Sequence, residues 1–566
     1  MDGFILRLLL RAGVFRLEGR WRKTLLRPEE TQAECLREIL ARHADTEYGR
    51  RFRFQSLGGP EAYCATLPIV DYEALRPAFE RMQAGGSRIL VDEPIEMFAV
   101  TSGTSGAPKL LPLTRSQSLA QQGSHRIWMS RLVRDHPRVA EGRLLSVVSP
   151  AVEGHTPGGI PLGSASGKTY ITQPPLVRKL HAVPAEVIEV PRYDARHYLL
   201  LAFSLAHSLS CVTSVNPSTL VLLGERMAEW SEPLVDDLSA GALTHAPGLS
   251  PEERDRFRPL FRPQPERART LREILKTDGV LTPRAAWPGL EAICTWHGGN
   301  APFYLGRLPE RWGKAATRCL GLRASEGMFS IPLSDETPEG VLATRGSFLE
   351  FLPEEEEPGP GARTLPARAL GRGRRYRLII TTSGGLYRYD LADIVEVTGF
   401  LKATPVVAFL RRAGAVLSIT GEKVTEEQAA LCMKRLVNRF PVAGFTLTLR
   451  LDYPPRYLLA VEPREPAPWD EALAERLAQA FDRELQAANV EYRSKRESRR
   501  LDPPALRLLP CGFYADYRRR AVASGRPDGQ VKPLHLVESE KKLDELLKPG
   551  EGDGRLPDGE RGRAVS

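Results

Sequence analysis

The sequence predicts an α/β chain, with a large N-terminal α/β domain followed by a small C-terminal α+β domain. Three observations predict it. At 566 residues the chain is longer than one compact core, so at least two domains are expected. Between about residues 95 and 400, short β-rich runs such as LLSVVS (144–149) and YRLIITTS (376–383) alternate with helical runs, which is the pattern of α/β layers. Beyond about residue 400 the order becomes helix, two strands, helix. The divisions are placed at 1–402, 403–548 and a polar tail, 549–566, expected to be disordered.

The elements follow in order. MDGFILRLLLRAGVFRL is apolar but broken by Arg7 and Arg11. It is too short to span a bilayer and has no small-residue cleavage site, so an amphipathic helix is expected. Thr31 with Glu34 reads as a capping box, opening a helix with Cys35, Leu36, Ile39 and Leu40 on one side. IEMFAV (95–100) reads as a strand, and Thr114 as the cap of the helix RSQSLAQQGSHRIWMSRLV. The segment 353–374, charged and rich in Pro and Gly, reads as an exposed loop. In the C-terminal part, 425–440 and 470–485 read as helices, the second with Leu473, Leu477, Phe481 and Leu485 along one face. FTLTLRL (445–451) and RYLLAVE (456–462) read as a strand pair.

Composition narrows the function classes. Net charge is +9, but the arginines are scattered, and the densest basic run, YRSKRESRR (492–500), is expected to be a solvated surface and not a nucleic-acid patch. Seven cysteines with no Cys-x-x-Cys pair argue against a zinc site or a disulfide framework and suit a reducing compartment. With no transmembrane run, a cytoplasmic location without stable membrane insertion is expected, and a monomer.

The stretch VTSGTSGAPKLLPLT (100–114) carries the chemistry. Thr101, Ser102, Thr104 and Ser105 offer hydroxyls, Gly103 and Gly106 let the backbone approach an anion, and Lys109 brings a positive charge. Pro108 and Pro112 disfavour an immediate helix, so the loop joins two extended segments, unlike a Walker loop with its lysine at a helix start. Such a loop suits a polyphosphate that arrives and leaves; the same composition also suits a turn with no ligand. GSASGKT (163–169) imitates Walker A, but only three residues separate Gly163 from Gly167 where four are required.

This loop resembles the phosphate loop of the adenylate-forming superfamily, and within it that of the Gretchen Hagen-three family of acyl-acid amido synthetases. GLRASEGMF (321–329), FLEFLP (348–353), TTSGGLYRYDLADIVEVTGF (381–400), FLRRAGAVLSITGEKVTEEQ (409–428) and GQVKP (529–533) are similar to that family's segments in order and spacing. The resemblance implies a large domain of adenylate-forming type and a C-terminal lid rotating on a hinge near 400–412. It implies ATP binding by Thr101, Ser102, Gly103, Thr104, Ser105, Gly106, Lys109, Ser325, Glu326, Phe351, Tyr387, Asp393 and Arg412. Glu326 is the implied magnesium ligand, and one carboxylate suffices where phosphate oxygens supply the rest. Asp393 is implied to accept the ribose hydroxyls, as acidic residues do in dinucleotide sites. Lys109, Lys532 and Arg412 are the implied catalytic cations, the last two from the lid, although Arg411 adjoins Arg412. Each has a plainer reading: Asp393 a turn cap, Glu326 an exposed helix-start glutamate, Phe351 and Tyr387 core. The substrate pocket is assigned His155, Asn216, Ser218, Gly298 and Gly299, with His297 beside them.

Two positions depart from the pattern. Leu322 stands where an aromatic residue usually covers the adenine, forgoing about 0.5–1.5 kcal/mol of stacking. Ala392 stands where glycine usually precedes the ribose aspartate. The expected function is adenylation of a carboxylic acid with release of pyrophosphate, then transfer of the acyl group to an amine, in particular an amino acid, with release of AMP. The alternatives are an acyl-CoA ligase of the same superfamily and a nucleotide-binding relative that no longer turns over.

Overall fold

The computed structural model describes residues 19–101, 109–299, 301–359, 361–414, 416–465, 469–514, 516–517, 520 and 534–547. They fall into two compact units, one ending at Gly414 and one following it.

In the first unit, helix α1 (Pro28–Arg42) starts a turn before the predicted capping box. Pro28 sits in the first turn, where its fixed φ suits the helix and its missing N–H is not needed. Thr31 therefore lies inside the helix and donates to the Arg27 carbonyl at 2.9 Å. The predicted face, with Cys35, Leu36, Ile39 and Leu40, is buried. Helix α2 (Tyr72–Gln83) is capped by Asp71. Strands β1 (Ile95–Thr101) and β2 (Lys109–Thr114) form an antiparallel hairpin with Thr101 opposite Lys109. The hydroxyl-rich loop thus joins two extended segments, as the prolines predict. Thr114 caps α3 (Arg115–Asp135), accepting from the Gln117 backbone N–H at 3.3 Å.

Strands β3 (Arg143–Val147), β6 (Leu209–Ser214), β7 (Ala292–Thr295) and β8 (Ala316–Cys319) make a parallel sheet. Between β3 and β6 in the chain lie β4 (Gly154–His155), β5 (Pro161–Gly163), α4 (Ala165–Ile171) and α5 (Tyr193–Leu205); β5 pairs with β1 and β4, giving the order β2-β1-β5-β4. Helix α6 (Pro217–Glu229) follows β6. A short hairpin, β9 (Arg323–Ala324) with β10 (Gly327–Met328), follows β8. Then β11 (Ser330–Ile331), β12 (Gly340–Leu342), β13 (Ser347–Pro353), β14 (Arg375–Thr382), β15 (Tyr389–Leu401) and β16 (Thr404–Arg412) build an antiparallel sheet in the order β11-β12-β16-β15-β14-β13. A core containing Leu36, Phe79, Phe98, Phe351, Leu378, Tyr387 and Tyr389 packs these elements together.

This topology moves the predicted boundary at 402. Strand β16 is hydrogen-bonded to β15 and β12, so 403–412 belongs to the first unit. The expected hinge near 400–412 is instead a β-hairpin of that unit. The segment 353–374 is also more ordered than its composition suggests. Leu365 and Phe351 exchange backbone hydrogen bonds, and Thr364 donates to Glu350 at 2.6 Å.

In the second unit, β17 (Val416–Leu417) pairs with β18 (Val424–Thr425). Thr425 and Gln428 form a capping box at the start of α7 (Glu426–Leu436). The predicted strand pair appears as antiparallel β19 (Val442–Arg450) and β20 (Arg456–Pro463). Helix α8 (Glu471–Ala488) buries Leu477, Phe481 and Leu485, followed by α9 (Val490–Glu497), β21 (Ala505–Leu508) parallel to β20, and α10 (Glu540–Leu547). The basic run 492–500 is not uniformly solvated: Lys495 is buried, and Arg496 binds Asp482 at 2.9 Å. The expected tail, 549–566, lies outside the described residues. All seven cysteines are free, and no helix among the described residues is long and apolar enough to cross a membrane.

Candidate active site

The hairpin β1–β2 sets Thr101 and Lys109 side by side at the two ends of the hydroxyl-rich loop. Ser102, Gly103, Thr104, Ser105 and Gly106 lie outside the described residues, as does Lys532. Lys109 is buried, with its ammonium 5.3 Å from the centre of the Tyr72 ring. The Tyr72 hydroxyl in turn accepts from the Leu110 backbone N–H at 2.9 Å. A tyrosine from α2 thus steadies the root of the loop in two ways, one of them cation–π.

Glu326 and Ser325 form the turn between β9 and β10, so the alternative of an exposed helix-start glutamate does not hold. The Glu326 carboxylate is half-buried and makes no hydrogen bond or ion pair among the described residues. Its oxygens are hard donors of the kind magnesium prefers. No cluster of three or more potential metal ligands occurs among the described residues. A single carboxylate is compatible with a magnesium ion whose remaining ligands are phosphate oxygens and water.

Asp393 lies within β15, not at its edge, and is 7% exposed. Its cross-strand partner is Arg412, whose Nη1 donates to Asp393 at 3.3 Å. The neighbouring Arg411 turns to Glu354 at 2.6 Å. Alternation along β16 therefore separates the two arginines, and Arg412 belongs to the first unit instead of to a lid. Tyr389, at the start of β15, is 1% exposed. Burial raises its hydroxyl pKa well above the ordinary range, the negative charge of Glu326 raises it further, and Arg412 opposes both.

Ala392 adopts φ +59°, the left-handed region that favours glycine. Its N–H donates to Asp390 at 2.8 Å, its carbonyl accepts from Ala413 at 2.7 Å, and Asp390 is clamped by Arg377. These bonds hold an alanine where the chain geometry asks for glycine. Leu322 is 4% exposed and packs in the core. Phe351 and Tyr387 are both 0% exposed. Tyr387 stacks on Tyr48 and donates to the Leu90 carbonyl at 2.6 Å. Both follow the plainer reading as core: neither presents surface to a ligand, and any influence on nucleotide is exerted from behind.

The pocket residues divide. Asn216 and Ser218 follow β6, and His297, Gly298 and Gly299 follow the adjacent parallel strand β7, with Trp296 N–H donating to the Val215 carbonyl at 3.1 Å. They thus meet at the carboxyl ends of parallel strands, the usual place for a ligand crevice. Ser218 and His297 are buried, and among the described residues Ser218 Oγ and His297 Nε2 have no hydrogen-bond partner. Burial lowers the His297 pKa to about 4, so the ring is neutral at physiological pH. A Cβ on Gly298 would stand 2.6 Å from the Trp296 ring. His155 is exposed on β4, in the other sheet.

The Walker-like GSASGKT packs instead of binding. A Cβ on Gly163 or Gly167 would strike the carbonyls of Ala151 and Ser149, and Lys168 is paired with Glu96. Sequence reasoning missed Tyr72, Gln117 and Tyr389. Gln117 donates to the Glu326 carbonyl across 209 residues of chain, and no local motif announces such a contact.

Layered α/β sheets with a separate C-terminal α+β unit are the architecture expected of a chain of adenylate-forming type. The chain belongs to the GH3 (Gretchen Hagen-three) family. The GH3 family N-terminal domain matches residues 19–316, the central domain 340–412 and the C-terminal domain 423–541. The indole-3-acetic acid-amido synthetase GH3.3 of Arabidopsis thaliana is 27% identical over 535 residues, covering 89% of each chain. The jasmonoyl–L-amino acid synthetase GH3.5 of Oryza sativa subsp. japonica is 26% identical, covering 91% of this chain and 94% of its own. The solved GH3.15 acyl acid amido synthetase shares the fold, with a TM-score of 0.64 at 20% identity, over 95% of this chain and 96% of its own.

Proposed function

We propose that the chain is an ATP-dependent acyl-acid amido synthetase that joins a small carboxylic acid to an amino acid. The observation that carries this reading is the pairing of Asp393 with Arg412 across β15 and β16, in the same unit as Glu326 and Lys109. Tyr72 carries Lys109 over its ring, and Gln117 ties the Glu326 backbone to the helix that follows the Lys109 strand. Segments scattered from 72 to 412 thus lie within one unit and carry charges of the kinds a nucleoside triphosphate requires.

In the first half-reaction a carboxylate oxygen of the acid attacks the α-phosphorus of ATP. The bond to the bridging oxygen breaks and pyrophosphate leaves. Lys109 and the loop it closes neutralise the phosphates, and Asp393 takes the ribose hydroxyls. Glu326 would hold a magnesium ion, which supplies charge neutralisation on the phosphates. The acid is already ionised, so neutral His297 is not needed as a base and serves as pocket wall. In the second half-reaction the amine nitrogen attacks the acyl carbonyl, loses a proton, and AMP departs. Positioning and charge account for the catalysis, without a covalent enzyme intermediate.

Pyrophosphate exchange into ATP, measured over a panel of carboxylic acids, tests the first step. Exchange with at least one acid is expected. Its absence, with nucleotide binding retained, would leave a binding protein without turnover. Adding amino acids or CoA and identifying the product tests the second step; a thioester and no amide would make the chain an acyl-CoA ligase.

A further inference from the structure

Helix α3 presents four side-chain donors at the spacing of one helical face. Gln117 Nε2 donates to the Glu326 carbonyl at 2.5 Å, and Gln121 Nε2 to the Ser325 carbonyl at 3.4 Å. Ser124 Oγ donates to the Arg345 carbonyl at 3.5 Å, and Trp128 Nε1 to the Cys319 carbonyl at 2.8 Å. Steps of four, three and four residues keep all of them on one side of the helix. Apolar contacts alone would let the helix slide along its neighbour. Directional bonds to carbonyls fix its register.

We propose that Gln117, seconded by Gln121, is the positioning residue that sets the Glu326 carboxylate relative to Lys109. The inference rests on the reading of Glu326 given above. The β9–β10 hairpin has only two residues in each strand, so its own ladder holds the turn weakly. Helix α3 follows β2 without a break, capped by Thr114 and tied by Ser116 to Glu93. Whatever α3 holds therefore keeps a fixed distance from Lys109. Gln117 is 2% exposed, and its Oε1 has no partner among the described residues. An unsatisfied buried carbonyl costs stability, and methionine would fill the same space without that cost. The amide is thus explained by its donor half, which holds the Glu326 backbone.

The test uses Mn2+ as the probe, with the full-length chain and a non-hydrolysable ATP analogue. Free Mn2+ is followed by its electron paramagnetic resonance signal. Gln117→Met is expected to weaken Mn2+ binding about tenfold or more, as loss of an outer-shell partner does. Its thermal midpoint should change little, since removal of the unsatisfied Oε1 offsets the lost bond to the Glu326 carbonyl, and its affinity for the analogue in EDTA should be unchanged. Gln121→Met should show a smaller weakening, and it decides the matter if Gln117→Met does not fold. Wild-type Mn2+ affinity in both variants, with loss in Glu326→Gln, would overturn the positioning role alone. Wild-type affinity in Glu326→Gln as well would overturn the reading of Glu326, and the positioning role with it.

Discussion

At the scale of single residues, Ala392 shows how the site is held. Alanine in the left-handed region costs roughly 1–2 kcal/mol, and glycine's greater freedom in the unfolded chain costs roughly 0.5–1. Ala392→Gly should therefore raise stability by a net of up to about 1.5 kcal/mol in denaturant titrations, with nucleotide affinity retained. A loss of stability would mean that the bonds from Asp390 and Ala413 already remove the strain. Asp393→Ala should raise the ATP concentration needed for exchange; because it also releases Arg412, unchanged nucleotide affinity would count strongly against the ribose role. Lys109→Ala should depress exchange more than Tyr72→Leu, which removes only the ring beneath the ammonium. Equal losses in both would mean that Lys109 acts through position alone.

At the scale of elements, what was legible was local. Thr114 was readable as a cap because a cap needs only the residues of its own helix turn. Thr114→Ala should cost about 1 kcal/mol in the same titrations. Thr31 looked like a cap on the same grounds and is not one, because Pro28 starts the helix a turn earlier. Strand pairs joined by short turns, such as β19 with β20, were equally plain. The antiparallel pairing of Asp393 with Arg412 was not, since register over the β15–β16 hairpin is set by bulges rather than by residue type. That pairing sets Arg412, and not Arg411, opposite Asp393, which composition could not do. The donor stripe of α3 was likewise invisible, because glutamines on a helix look the same whether they meet water or a distant carbonyl.

At the scale of the whole molecule, the C-terminal unit carries a buried lysine that ties its stability to pH. Lys495 on α9 is buried near Arg500, Glu491 and Glu422, and burial lowers its pKa from 10.5 to about 7. Between those values the folded unit binds fewer protons than the unfolded chain, so its stability rises with pH across that window. The burden is greatest below about pH 7, where the lysine must be charged while buried. Lys495→Met should therefore stabilise the C-terminal unit more at pH 6 than at pH 9 in scanning calorimetry; an equal gain at both would show that the amine is solvated. The sequence by itself determined the α/β class, the change of texture after residue 400, the family resemblance, and the extended flanks of the hydroxyl-rich loop. Each of these is written in propensity, turn chemistry or motif spacing along the chain. Only the tertiary structure decided that β16 belongs with the first unit, that Phe351 and Tyr387 are core, and that Glu326 is steadied from α3. Those depend on which distant segments share a sheet or a helix face, and burial and hydrogen bonding are properties of that neighbourhood and not of the residue.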